Sequence, residues 1–149
     1  MTTVASSGEE GDRTPDRTPD RTPDRSPLAG KTIVLFEDDD LVRRATERLL
    51  RGLGAQVVVA SGSAQALEAL RSADLAPDWV VADYWLTPDE SGLAATQAVR
   101  AQMGGRVSGV ILTGDSSSEI SAAVSEAGLR LLRKPVSVDQ FIAILTENA

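Results

Sequence analysis

The chain has neither histidine nor cysteine among its 149 residues. Their absence removes Ser-His-Asp and Cys-His catalysis, the usual zinc sites and any disulfide. It also means that the chain cannot itself carry a phosphohistidine. No stretch is apolar enough over sufficient length to span a membrane, and the N-terminus lacks the apolar core of a signal peptide. We therefore expect a cytoplasmic protein. Lysine is almost absent: Lys31 and Lys134 are the two in the chain, and every other basic residue is Arg. Net charge is -7 and the basic residues are scattered, which argues against nucleic-acid binding through a basic face. In a chain that favours Arg, a Lys at the end of an apolar run needs a reason. Lys31 reads as a solvated end before the first such run, whereas Lys134 follows Leu131-Leu132-Arg133 and precedes Pro135.

Two regions differ in composition. From Asp12 the tetrapeptide Asp-Arg-Thr-Pro repeats, ending as Asp24-Arg25-Ser26-Pro27. A proline in every repeat excludes a helix or a paired strand, and there is little apolar surface to bury. Residues 1–29 are therefore expected to be a disordered tail of polyproline-II character, and residues 30–149 the folded domain.

From Lys31 onward, apolar runs alternate with amphipathic segments. The expected strands are 31–36, 56–59, 78–82, 107–112 and 129–132. The first helix has Asp39 or Asp40 as its N-cap, an apolar face of Leu41, Val42, Ala45, Leu49, Leu50 and Leu53, and Gly52 and Gly54 at its end. The second starts near Ser61–Ser63, and the third runs from Gly92 to Gly104-Gly105. The fourth opens with the capping-box pattern Ser116-Ser117-Ser118-Glu119, the fifth with Ser137-x-x-Gln140. Five βα units with near-continuous apolar strands imply a doubly wound five-stranded parallel sheet with helices on both faces. Acids after both the first and third strands suggest that those strands are neighbours. That favours the flavodoxin-like order 2-1-3-4-5.

Chemistry-bearing residues fall at the ends of these runs. Glu37 and Asp38 follow Ile33-Val34-Leu35-Phe36, Asp83 follows Trp79-Val80-Val81-Ala82, Thr113 follows Val110-Ile111-Leu112, and Lys134 closes the fifth run. In a parallel sheet these ends line one crevice. Acids crowded there repel one another unless a cation neutralises them, and an all-oxygen set suits Mg²⁺. Asp83 could ligate that cation or attack phosphorus, with Mg²⁺ and Lys134 lowering the repulsion between carboxylate and phosphoryl group. Trp85 could offer its backbone carbonyl to the metal. The Thr113 hydroxyl could bond a phosphoryl oxygen, with Gly114 leaving room. A cis Lys134–Pro135 bond would be a testable feature.

The segments IVLFEDDDLVRR, VVADYWL…SGL, VILTGD and LLRKPV, in this order and spacing, resemble the receiver domain of two-component response regulators. The resemblance covers residues 31 to about 147. It implies that Asp83 is the phosphoacceptor and that Glu37 and Asp38 are the acidic pair, Asp38 being the direct Mg²⁺ ligand. It further implies that Trp85 donates its carbonyl, Thr113 is the switch hydroxyl and Lys134 binds phosphate. The implied partners are a sensor histidine kinase or histidine phosphotransfer protein, with aspartyl-phosphate hydrolysis by the domain itself and no other enzymatic activity. Output would pass through the face of the fourth helix, fifth strand and fifth helix, to a protein target; the oligomeric state stays open, a homodimer included. Two departures stand out. Pro88 and Gly92 each lie one residue further from Asp83 than is commonest in the family, and Leu131 occupies a position that is often aromatic.

Two other readings use the same residues. A haloacid-dehalogenase-like phosphatase also employs Asp, a hydroxyl, Lys and Mg²⁺. Its Asp-x-Asp-x-Thr signature, however, is replaced here by Asp83-Tyr84-Trp85-Leu86-Thr87. A flavodoxin-type binding module would need a phosphate loop after the first strand, where this chain has acids.

Overall fold

A computed structural model describes residues 26–104, 106–115 and 117–147. The repeats up to Arg25 lie outside the described residues, as do Gly105 and Ser116. Strands and helices alternate throughout: β1 (Thr32–Phe36), α1 (Asp40–Gly52), β2 (Gln56–Ala60), α2 (Ser63–Ala73), β3 (Trp79–Asp83), α3 (Gly92–Met103), β4 (Ser108–Thr113), α4 (Ser118–Glu126), β5 (Arg130–Arg133) and α5 (Val138–Leu145). All neighbouring pairs are parallel, and the order across the sheet is β2-β1-β3-β4-β5. This is the doubly wound arrangement expected from the apolar runs, with β1 beside β3.

The period-two alternation of each strand divides the interior into two layers. Val34, Phe36, Val80, Ala82 and Ile111 face one layer, where Ala66, Leu67 and Leu70 of α2, Ala95 and Val99 of α3, and Ile120 and Val124 of α4 meet them. Ile33, Leu35, Trp79, Val81, Val110 and Leu112 face the other, covered by Leu50 of α1 and Phe141, Ile144 and Leu145 of α5. Both faces of the central strands are buried, which is why they read as unbroken apolar runs rather than alternating ones.

Capping follows local chemistry. The Asp39 carboxylate accepts from the N–H groups of Leu41 and Val42 at the start of α1. The Ser137–Gln140 capping box forms at α5 as expected. At α4 the N-cap is Ser117, whose hydroxyl accepts from the N–H groups of Glu119 and Ile120; Ile120 stands where a capping box needs Glu or Gln, so Ser117 caps alone and the box expected from Ser116 to Glu119 is replaced by a simple cap.

Two expectations are corrected. Leu41 is 80% exposed and Val42 40%, so the apolar face assigned to α1 starts too early. Ala45 is exposed as well; Leu49, Leu50 and Leu53 make the contact with the core instead. At the other end, Leu28 falls within the expected tail, residues 1–29, yet it is fully buried in the cluster with Ile33, Leu50 and Val57. Its N–H donates to the Leu53 carbonyl at 2.9 Å, which ties the segment before β1 to the end of α1.

Candidate functional site

Strand register brings the site together. Phe36 pairs with Ala82, so Glu37 leaves β1 at the level where Asp83 ends β3. Asp83 in turn pairs with Leu112, and Thr113 extends one residue further, opposite Arg133. The Lys134 N–H donates to the Thr113 carbonyl at 2.9 Å, holding the end of β5 against that of β4. The Lys134–Pro135 bond is cis.

Three of the five strand-end side chains converge. The Lys134 ammonium lies 3.2 Å from Asp83 Oδ2 and 3.8 Å from Glu37 Oε1. The first is a charge-assisted hydrogen bond; the second is a longer electrostatic contact. Asp83 is largely shielded and Glu37 is buried, whereas Lys134 remains one-third exposed. Burial pushes the Glu37 carboxyl above its ordinary value of 4.5, and the charges of Asp83 and Asp39 push the same way. The Asp39 N–H, which donates to Glu37 Oε2 at 3.2 Å, and the Lys134 ammonium pull it back.

The remaining residues sit around this centre. Asp38 is exposed on the acidic turn, next to buried Glu37. Thr113 is fully buried, and its hydroxyl accepts from the Asp115 N–H at 2.9 Å. Trp85 is 65% exposed, its ring edge-on to Tyr84. Among the described residues none donates to the Trp85 carbonyl, which leaves that oxygen uncommitted. Also among the described residues, no three acids meet as a ready-made metal cage. The donors are all oxygen, and two of the carboxylates converge. That set fits a hard cation held by one or two carboxylates and completed by water.

Two features of the loop after β3 were missed from sequence. A Cβ on Gly92 would lie 2.0 Å from the Asp83 carbonyl oxygen, so the start of α3 presses directly on the backbone of Asp83. The Gly92 N–H donates to the Tyr84 carbonyl at 2.8 Å in the same contact. Glu90 reaches across to α2, accepting from the Ser63 N–H at 2.9 Å and the Ser63 hydroxyl at 2.6 Å. The N-cap of α2 is Gly62, which has no side chain to cap with, so Glu90 supplies the missing acceptor. No local sequence pattern announces that pairing, because the partners lie in different units.

A doubly wound parallel sheet with carboxylates and one lysine at its carboxyl edge defines the class. The chain belongs to the response regulator receiver domain family, whose model matches residues 33–146. No curated protein matches it. Among solved structures it is similar to the receiver domain of sensor histidine kinase PA1611 from Pseudomonas aeruginosa PAO1, with 31% identity over 78% of this chain and 95% of that one and a TM-score of 0.63. That structure has a magnesium ion coordinated in its active-site cleft. Two further structures show the fold. The Vibrio cholerae chemotaxis protein CheY4 is 22% identical over 81% of this chain and all of its own, with a TM-score of 0.69. A receiver domain protein from Clostridium thermocellum is 22% identical over 77% and 90%, with a TM-score of 0.67. The family is a signalling domain, and no helix among the described residues is long and apolar enough to cross a membrane.

Proposed function

We infer that Asp83 accepts a phosphoryl group from a phosphohistidine on a sensor histidine kinase or a histidine phosphotransfer protein. The observation that carries this reading is the Lys134 ammonium, which lies 3.2 Å from Asp83 and 3.8 Å from Glu37. An Asp83 oxygen attacks phosphorus, the P–O bond forms as the P–N bond breaks, and the departing imidazole keeps the electron pair. Lys134 can follow the incoming charge from the carboxylate to a phosphoryl oxygen with little movement, because its side chain already points there. The Thr113 hydroxyl uses its oxygen to accept from Asp115. Its own proton is therefore free to be donated to a second phosphoryl oxygen. Glu37, Asp38, Asp83 and the Trp85 carbonyl are the residues that would hold Mg²⁺, which when bound offsets the negative charge that accumulates during transfer. Hydrolysis of the aspartyl phosphate returns Asp83 to its starting state.

The signal then depends on contacts that differ between the two states. New bonds from Thr113 and Lys134 pull on the ends of β4 and β5, and β5 is the edge strand beside α4 and α5. Leu131, half-buried and paired with Ile111, occupies the position that is often aromatic in the family, so an aliphatic side chain must repack there. The α4–β5–α5 face is accordingly where a target protein or a second copy would read the change.

Intact-mass spectrometry after incubation with Mg²⁺ and a phosphodonor tests the reading. The parent chain should gain one phosphoryl group and Asp83→Asn none. Equal labelling of the two would overturn it.

A further inference from the structure

The opposite edge of the sheet carries a separate concavity. A cavity of about 730 Å³ opens at the amino ends of β3 and β4. Three guanidinium groups line it: Arg100 from α3, Arg106 from the segment before β4, and Arg130 from the start of β5. Asp78, Ser108 and Glu147 complete the polar wall. It lies at the Trp79 end of β3, about 13 Å along the strand from Asp83 at ~3.3 Å per residue.

These charges are unequally matched. Arg130 Nη1 is paired with Glu147. Asp78 Oδ2 accepts from the Thr32 N–H at 2.8 Å. Arg100 donates from Nη1 to the Ala127 carbonyl at 2.9 Å, while its buried Nε has no partner among the described residues. None of the salt bridges among the described residues involves Arg100 or Arg106. Among the described residues, Arg100 and Arg106 thus line one cavity without a salt-bridge partner, in a chain whose net charge is -7.

We propose that this cavity binds a small phosphate ester bearing hydroxyl groups, a ligand of nucleotide size. The phosphate matches the planar fork of Arg, which offers two parallel donors to an anion's oxygens. A bare polyanion would be repelled by Asp78 and Glu147, but the same carboxylates accept hydrogen bonds from sugar hydroxyls. The volume falls within the range of small-ligand sites. This assignment stands apart from phosphoryl acceptance at Asp83, since it uses the other edge of the sheet and none of the same side chains.

Calorimetric titration with AMP tests it, with inorganic phosphate and ribose as the separate halves of the ligand. We expect AMP to saturate with a Kd below about 1 mM, and each half to bind at least tenfold more weakly, about 1.4 kcal/mol. Arg106→Gln alters an exposed residue outside the core and should weaken AMP about tenfold. Asp83→Asn should leave AMP affinity unchanged. Failure of AMP to saturate, equal affinity in Arg106→Gln, or loss of binding in Asp83→Asn would each overturn the proposal. The last result would move the ligand to the carboxyl edge.

Discussion

At the carboxyl edge of the sheet, Glu37 and Asp83 share the single ammonium of Lys134; at the amino edge, three arginines face two carboxylates. The same five strands produce both, yet the edges differ in the sign of their excess charge and in how they are assembled. The carboxyl edge is built by register, because each strand ends on a residue that the neighbouring strand holds level. The amino edge gathers residues from a helix, a loop, an edge strand and the segment after α5. A net charge of -7 describes neither. What matters for ligand choice is which charges the topology leaves unmatched at each edge.

Substitutions confined to one edge should separate the two. Leu28→Ala removes a fully buried side chain on the amino side, below α1. It should cost about 2–5 kcal/mol in denaturant unfolding while leaving phosphoryl uptake per folded molecule unchanged. Gly92→Ala acts at the carboxyl edge, where the added methyl meets the Asp83 carbonyl. A smaller loss of about 1–3 kcal/mol is expected, accompanied by impaired phosphoryl uptake because the Asp83 backbone must move. The opposite pattern in either variant would break the distinction between the edges.

The smallest effect concerns Glu37. Its carboxyl is raised above 4.5 in the folded chain, chiefly by burial, so the folded state holds that proton more tightly than the unfolded one. The associated stability is present below the unfolded value and is lost as pH rises through the folded one. In metal-free buffer Glu37→Gln should therefore flatten the dependence of stability on pH above 4.5 and make the protein more stable near neutrality. A variant less stable than the parent at neutral pH would show that the ion pair with Lys134 outweighs desolvation.

The carboxyl edge was legible in the sequence for a physical reason. Doubly buried parallel strands are unbroken apolar runs, and a polar residue that stops such a run marks the crevice. Asp83, Thr113 and Lys134 could be found that way without coordinates. Leu41 and Val42 misled because helical periodicity marks a face without saying which of its turns is covered. Leu28 was hidden by the prolines and charges that precede it. The arginines looked scattered because their meeting depends on a helix, a loop and an edge strand packing together, and no local pattern encodes that. Gly92 was noticed for its spacing, while its reason, a backbone pressed against Asp83, exists only in three dimensions.

The carboxylate of Glu90 has a mechanical consequence. The segment between Asp83 and α3 is one residue longer than is commonest, which by itself would make it slack. Both carboxylate oxygens of Glu90, however, are fastened to Ser63, at the first residue of a helix from another unit. The additional length is braced like a strut. Any displacement of the chain just past Asp83 must either drag the start of α2 with it or break both fastenings.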